Sequence, residues 1–220
     1  MFSESYQWLT SPVCVTAVLI AIVLAAAWIK SFFKKQYNAT HKSICIILGS
    51  GGHTMEMMEI LKDIDCQHFS PRHYIIASTD QTSEGKVILH EQQIQSQTGK
   101  NQIYTISKIS RSRQVNQPWI SSIFSTLWAA WFSLMIFYRL YPDLILCNGP
   151  GTCVPIACIA RLTQLLGISR ARVMYVESLA RVSDLSLSGK ILYNIVDKFI
   201  IQWPQLKTKY PKSIYVGRLV

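Results

Sequence analysis

The sequence predicts a doubly wound α/β domain, a parallel sheet with helices on both faces, preceded by one N-terminal transmembrane helix. Three observations carry this. From Ser43 onward, short apolar runs alternate with helical stretches; two of the runs end in glycine loops that open helices; and Ser5 to Ile29 contains no charged residue. Strands alternating with helices specify a parallel sheet. An uncharged, largely apolar run of that length is long enough to cross a bilayer.

The transmembrane helix is placed at 11–29, where Val13 to Trp28 is almost wholly apolar. Residues 1–10 lack the Lys or Arg of a signal-peptide n-region, so an uncleaved anchor is expected. Lys30, Lys34, Lys35 and Lys42 follow the span, whereas Glu4 precedes it. The positive-inside rule therefore puts residues 1–10 in the lumen, makes 30–42 a basic juxtamembrane linker, and leaves everything after it cytosolic. The sequon Asn38-Ala39-Thr40 stays unmodified on that side. Composition agrees: of 220 residues, 50% are hydrophobic and only 15% charged, which is apolar for a soluble domain. The net charge of +10 suits anionic partners such as headgroups or phosphorylated substrates. Six cysteines without a C-x-x-C pair read as reduced, packed thiols.

The domain opens on Ser43 to Leu48, an apolar run that reads as a strand buried on both faces. Gly49-Ser50-Gly51-Gly52-His53 follows, and a helix starts at His53 or Thr54. Glycines there bring backbone N–H groups close to a ligand, and the helix N-terminus adds partial positive charge, so the loop suits a phosphate or pyrophosphate. A tight turn that binds nothing is the competing reading. Next come a strand at His73 to Ala77, a polar helix at Glu84 to Gln97, and a strand at Gln102 to Ile106. That strand leads into the basic, hydroxyl-rich stretch Ser107 to Val115, whose Arg111 and Arg113 suit phosphate contact, a solvated loop being the competing reading.

Gln114 to Tyr138 carries no charge, and hydropathy alone would make it a second span. Ser122, Thr126, Ala129 and Ser133 form a small-residue stripe, however, and Ile120, Phe124, Leu127, Trp131, Met135 and Tyr138 a bulky one. Two faces imply two neighbours, so a helix near 119–140 is expected to pack its small face on the sheet and offer its aromatic face to the membrane surface. A wholly buried core helix is the alternative. The opening logic then repeats: a strand at Asp143 to Cys147, the glycine loop Asn148-Gly149-Pro150-Gly151-Thr152, and a helix at Val154 to Leu166. Arg172 to Val176 is a strand closing on Glu177-Ser178, followed by a helix from Ser188 to Ile195 and strands at Lys198 to Ile201 and Ser213 to Val216. In such sheets ligands sit beyond the carboxyl ends of the strands, where both glycine loops and Glu177 fall.

Several function classes fail. The dinucleotide fingerprint is broken because Thr54 takes the place of its third glycine, and Gly85-Lys86, Gly99-Lys100 and Gly189-Lys190 lack the rest of a Walker loop. Asp63-Ile64-Asp65 follows the first helix, away from the ligand edge, and reads as a solvated helix end. His41, His68, His73 and His90 show no metal-ligand spacing, and no nucleic-acid recognition module accompanies the basic charge. Neither a metal nor a cofactor is expected.

Gly49-Ser50-Gly51-Gly52-His53-Thr54, Ser110-Arg111 with Val115, Asn148 through Pro155, Glu177-Ser178 with Ala180-Arg181-Val182, Leu185 through Lys190, and Gln202-Trp203-Pro204 occur in order. Together they resemble the successive motifs of the asparagine-linked glycosylation subunit fourteen family, over residues 43–220. That family is the membrane-anchored partner in the two-subunit UDP-GlcNAc transferase of dolichol-linked oligosaccharide synthesis. The first loop is also similar to that of the bacterial lipid II synthase, a type B (GT-B) glycosyltransferase whose N-terminal half binds the lipid acceptor.

The resemblance implies that 43–220 is the acceptor-side, Rossmann-like half of such an enzyme at the endoplasmic reticulum membrane. The other half would be a soluble catalytic subunit that binds UDP-GlcNAc and docks on the C-terminal end, Tyr210 to Val220. The reaction implied is inverting transfer of GlcNAc from UDP-GlcNAc to GlcNAc-pyrophosphoryl-dolichol. His53 or Glu177 would serve as base or orient the acceptor sugar. Gly49, Ser50, Gly51, Gly52, Thr54, Arg111, Arg113, Asn148, Gly149, Gly151 and Thr152 would hold the acceptor pyrophosphate. For His53 the competing role is ordering the loop; for Glu177, pairing with Arg181 or a backbone amide. A non-catalytic membrane scaffold that only recruits the catalytic subunit is the alternative for the whole chain.

Overall fold

The computed structural model describes residues 41–101, 103–109, 131, 133–149 and 151–219. The expected anchor, most of the linker, Arg111, Arg113 and the first part of the 119–140 helix lie outside the described residues. Among the described residues no helix is long and apolar enough to cross a membrane.

Seven strands form one parallel sheet in the order β3-β2-β1-β4-β5-β6-β7. They are β1 (Lys42–Ile47), β2 (Phe69–Ala77), β3 (Tyr104–Ile109), β4 (Leu144–Asn148), β5 (Arg172–Val176), β6 (Lys198–Ile201) and β7 (Ile214–Tyr215). Strand order reverses between β1 and β4, which places the ligand crevice of a doubly wound sheet there. Helices α1 (Gly52–Lys62) and α2 (Ser83–Thr98) cover one face. Helices α3 (Cys153–Leu165), α4 (Leu187–Leu192) and α5 (Pro204–Lys209) cover the other, with the helical residues 133–140.

The central strand shows why. Successive side chains of a strand point to opposite faces, and in β1 both faces are apolar: Ile44, Ile46 and Leu48 pack with Met57, Leu61 and Val87 of α1 and α2. Cys45 and Ile47 pack with Ile156, Ala157 and Ala160 of α3. Each of the leucine, isoleucine, valine and methionine side chains among them contributes about 1.5–3 kcal/mol on burial. Burial also pushes the Cys45 thiol up to about 12, so it stays protonated and inert.

At the other end of the strands, Ser43 backbone N–H and Oγ donate to Asp143 Oδ2 at 2.8 and 2.9 Å, and Asp143 N–H returns a bond to the Ser43 carbonyl at 2.9 Å. These contacts hold β1 in register with a strand a hundred positions later.

Element boundaries depart from expectation in places. Strand β2 starts at Phe69, not His73, and β3 runs on through Ser107-Lys108-Ile109, which pair with Ile75, Ile76 and Ala77. Backbone pairing to a buried neighbour overrides the loop-like composition of those residues. Helix α4 is shorter and earlier than expected because Ser186 caps it, accepting from Gly189 N–H at 2.9 Å. Helix α5 was not anticipated; Pro204 at its first turn is the signal, since proline suits that position. The last strand shrinks to two residues. In the helical residues 133–140 Ser133 is buried, but so is Phe137 one turn later, so the packed face is not made of small residues alone. Trp131 and Met135 are exposed.

Helix α2, polar by composition, holds one buried ion pair. Arg72 and Glu91 are each 1% exposed and meet in a two-pronged contact, Nε to Oε1 at 2.7 Å and Nη2 to Oε2 at 2.6 Å. Tyr74 donates to the same carboxylate at 2.6 Å, and Arg72 Nη1 donates to the Cys66 and Phe69 carbonyls. Removing one partner leaves a buried uncompensated charge. Glu91→Ala is expected to cost about 3–5 kcal/mol, read as a lowered midpoint of chemical unfolding followed by circular dichroism.

Candidate functional site

Each side chain at the crevice comes from the residue that ends a strand or starts the helix after it. Beyond β1 the chain buries Leu48 and Gly49, then exposes Ser50, Gly51 and Gly52. Gly51 has φ +63°, a conformation that side chains rarely adopt, and no described residue lies within 4 Å of where a Cβ on Gly51 or Gly52 would stand. Among the described residues the loop is therefore open above its backbone, and no side chain caps the N-terminus of α1. The second loop mirrors it across the strand reversal: Gly149 has φ +66°, Gly151 is exposed, and α3 also starts without a side-chain cap. Two helix N-termini without side-chain caps thus flank one crevice from opposite faces of the sheet, each adding partial positive charge; in α3 the Val154 N–H bonds to the Gly151 carbonyl and Pro155 has no N–H to offer. Thr152 adds a buried hydroxyl that has no hydrogen-bond partner among the described residues.

Thr54 sits elsewhere than its expected role requires. It is wholly buried, and its hydroxyl bonds to the Gly49 carbonyl and lies 2.6 Å from Ser83 Oγ. Ser83 in turn bonds to Asp80. Thr54 therefore shapes the loop from beneath and does not face a ligand. Asp80 also accepts from Thr82 and Ser83 N–H at 3.0 and 3.1 Å. Burial raises its pKa, but these hydrogen bonds outweigh that effect and hold the carboxyl below its ordinary value.

His53 and Asn148 meet at the centre. His53 Nδ1 lies 3.2 Å from Asn148 Oδ1, and Asn148 Nδ2 donates to Glu56 Oε2 at 3.0 Å. Ser178 Oγ donates to the other Glu56 oxygen at 2.7 Å. Asn148 and Ser178 are buried, while His53 and Glu56 are half-buried at the rim. The imidazole lies against Gly149: a Cβ there would stand 2.3 Å from His53 Cε1 and 2.5 Å from Nδ1. One hydrogen-bonded chain thus joins the ends of β4 and β5 to the first turn of α1.

Glu177, the other expected catalytic residue, is fully enclosed. Its carboxylate accepts from Ser178 N–H at 3.1 Å, Ser186 N–H at 3.0 Å and Ser186 Oγ at 3.1 Å. Gly189 crowds it so closely that a Cβ would fall 2.1 Å from Oε2. Burial pushes its pKa up despite those three donors. Its hydrogen bonds go to backbone amides and a serine, while Arg181 is exposed. Glu177 thereby ties the 178–186 loop to the end of β5.

Glu56, Ser178 and Gln202 escaped the sequence reading of the site. The signal for Glu56 was its spacing: three residues after His53 on a helix, it shares that residue's face. Gln202 Nε2 donates to the Glu177 carbonyl at 3.0 Å, and its Oε1 accepts Leu219 N–H at 3.0 Å. Trp203 Nε1 donates to the Leu179 carbonyl at 2.6 Å, and the Arg218 guanidinium lies 4.4 Å over the Trp203 ring. The C-terminal residues therefore fold back onto the rim of the site.

Gly149→Ala is expected to displace the His53 imidazole, visible as changed His53 ring resonances in the NMR spectrum, because both the positive φ and the 2.3 Å approach forbid the methyl group. For Glu177, a carboxyl raised in the folded state contributes stability that is lost as pH rises from the ordinary carboxylate range through the raised value. The wild type is therefore expected to lose unfolding free energy relative to Glu177→Gln over that window in denaturation at a series of pH values.

The family model described as "Oligosaccharide biosynthesis protein Alg14 like" matches residues 44–219. The human protein named UDP-N-acetylglucosamine transferase subunit ALG14 is 49% identical over 81% of this chain and 83% of its own. The rat protein of that name is 48% identical over 80% and 82%, and the Schizosaccharomyces pombe one 40% over 96% and 97%. Among solved structures, MurG of Acinetobacter baumannii shares the fold with a TM-score of 0.55 at 16% identity, over 80% of this chain and 45% of that one. With the family model spanning both glycine loops, Glu56, Glu177 and Gln202, the chain belongs to the Alg14-like family of oligosaccharide biosynthesis proteins.

Proposed function

We propose that this chain is the membrane-anchored, acceptor-side subunit of a two-subunit UDP-N-acetylglucosamine transferase. In this reading a soluble subunit binds UDP-GlcNAc, and this chain recruits it to the cytosolic face of the endoplasmic reticulum membrane. The reaction is the inverting transfer of GlcNAc to GlcNAc-pyrophosphoryl-dolichol, the second step of lipid-linked oligosaccharide assembly. The names of the human and rat relatives support the enzyme class. The observation that carries the acceptor role is the crevice itself: two glycine loops, the first of them open at Gly51 and Gly52, and two helix N-termini without side-chain caps converge at the β1/β4 reversal with a half-buried histidine between them.

Each part then has a task. The pyrophosphate is doubly anionic, and the backbone N–H groups of Ser50 to Gly52 and Gly151 with the two helix N-termini suit it. The unpartnered Thr152 hydroxyl adds a donor, and Arg111 and Arg113 are proposed to supply full positive charge. His53 takes the proton of the attacking 4-hydroxyl, while Glu177 supports the site by holding the 178–186 loop. A chain that only recruits its partner would need none of these features.

The test is to co-express the full chain with the soluble subunit and assay transfer from UDP-GlcNAc to a GlcNAc-pyrophosphoryl lipid. Wild type is expected to turn over, and His53→Ala to lose about 10²- to 10⁴-fold in kcat. Near-normal turnover of His53→Ala would remove that residue from the chemistry. Equal binding of pyrophosphoryl and neutral lipids by this chain alone would reduce it to a scaffold.

A further inference from the structure

We propose that Glu56 is a positioning residue: acting through the Asn148 amide, it selects the neutral tautomer of His53 that leaves Nε2 unprotonated. The chemical use of that tautomer rests on the acceptor-side reading above, but the proton's location does not.

A carboxylate offers only acceptors. Glu56 Oε2 stands 3.0 Å from Asn148 Nδ2, so the amide must turn its NH₂ toward Glu56 and its carbonyl toward His53. The reversed amide would set Oδ1 against the carboxylate and lose that bond. Ser178 Oγ donates to Oε1 at 2.7 Å and holds the carboxylate in place. Ser178 is itself fixed, because its backbone N–H is bound by the enclosed Glu177. The oxygen presented to His53 is thus an acceptor only, and Nδ1, 3.2 Å away, must donate to it. In the neutral ring the remaining nitrogen, Nε2, then carries a lone pair. This is the reverse of the form that predominates for free histidine in water.

Two further observations make the selection effective. The ring packs against Gly149, where a methyl group would stand 2.3 Å from Cε1, so turning the ring to exchange its nitrogens meets the second glycine loop. No described residue hydrogen-bonds to Nε2, which would stand 3.1 Å from a Cβ on Gly149, and the ring that carries it is only half-buried. In the transfer, the acceptor's O–H bond breaks and its proton moves to Nε2. The acceptor oxygen forms the new glycosidic bond, and the departing UDP takes the electron pair of the bond that breaks. A protonated Nε2 could not accept that proton. The arrangement performs for His53 what a carboxylate behind a catalytic imidazole performs elsewhere, with an amide interposed.

The experiment uses the full chain in lipid nanodiscs, labelled with ¹⁵N-histidine, at a pH where the His53 ring is neutral. Long-range ¹H–¹⁵N correlation is expected to show Nδ1 protonated and Nε2 not in the wild type, and Glu56→Ala to move the ring toward the Nε2-protonated form. A wild type already protonated on Nε2 overturns the proposal without any variant, and so does an unchanged tautomer in a folded Glu56→Ala. In the co-expressed pair, Glu56→Ala is expected to lower kcat by about tenfold or more with the UDP-GlcNAc KM unchanged. In a His53→Ala background it should lower kcat no further, since residues acting as one unit are not additive. Equal losses in both backgrounds would make Glu56 a structural residue and sink the proposal. Absence of transfer by the wild-type pair would count against the functional reading alone, because the tautomer is read without turnover.

Discussion

Everything at the crevice depends on the pairing of β1 with β4. These strands are far apart in sequence, and closing so long a loop costs entropy that local propensity does not repay. Two kinds of interaction offset it. Along the strands, Ile44 through Ile47 pair with Leu144 through Cys147, with apolar packing on both faces. At the amino end, the Asp143 carboxylate captures both the backbone and the hydroxyl of Ser43. Because the pairing is parallel and in register, both strands reach their carboxyl ends together. Gly49 and Gly149 therefore emerge side by side, and the helices that follow them depart to opposite faces.

The polar groups around this junction are organised so that few are left unmet. Asp80 and Thr54 close the first loop from below; Glu177 and Gln202 close the third from the side. Glu56 and Asn148 stitch the two together. Buried polar groups of this kind are costly when half satisfied and rigidifying when complete. Their completeness here leaves the open positions among the described residues conspicuous: the Thr152 hydroxyl, the backbone at Gly51 and Gly52, and His53 Nε2. A separate network, Arg72 with Glu91 and Tyr74, does the equivalent task away from the crevice by locking α2 onto β2.

Much of this was legible in the chain. The apolar runs at Ser43, His73, Asp143 and Arg172 are strands, and the glycine loops stand where a doubly wound sheet binds ligands. Misplaced boundaries have local physical causes: Ser107-Lys108 looks like loop but gains a pairing partner in Ile75-Ile76, and Ser186 starts a helix earlier than the apolar pattern suggests. The site was legible as a list of loops and not as a set of contacts. Thr54, read as a ligand-facing hydroxyl, turns under the loop, and Glu56, read as a helix residue, turns into the crevice.

By itself the sequence determined the alternation of strands and helices, the two glycine turns that only glycine can make, and the motif set that identifies the family. These are properties of neighbouring residues and of residue type. Only the tertiary structure decided which polar groups meet: that Asn148 reaches both His53 and Glu56, that Ser178 braces Glu56, and that Glu177 is enclosed beside Gly189. The contacts of Asn148 and Ser178 with α1 join residues about a hundred positions apart through a strand pairing whose register no local pattern encodes. The direction of a hydrogen bond, and with it the protonation of a ring, is settled only when donor and acceptor stand opposite one another.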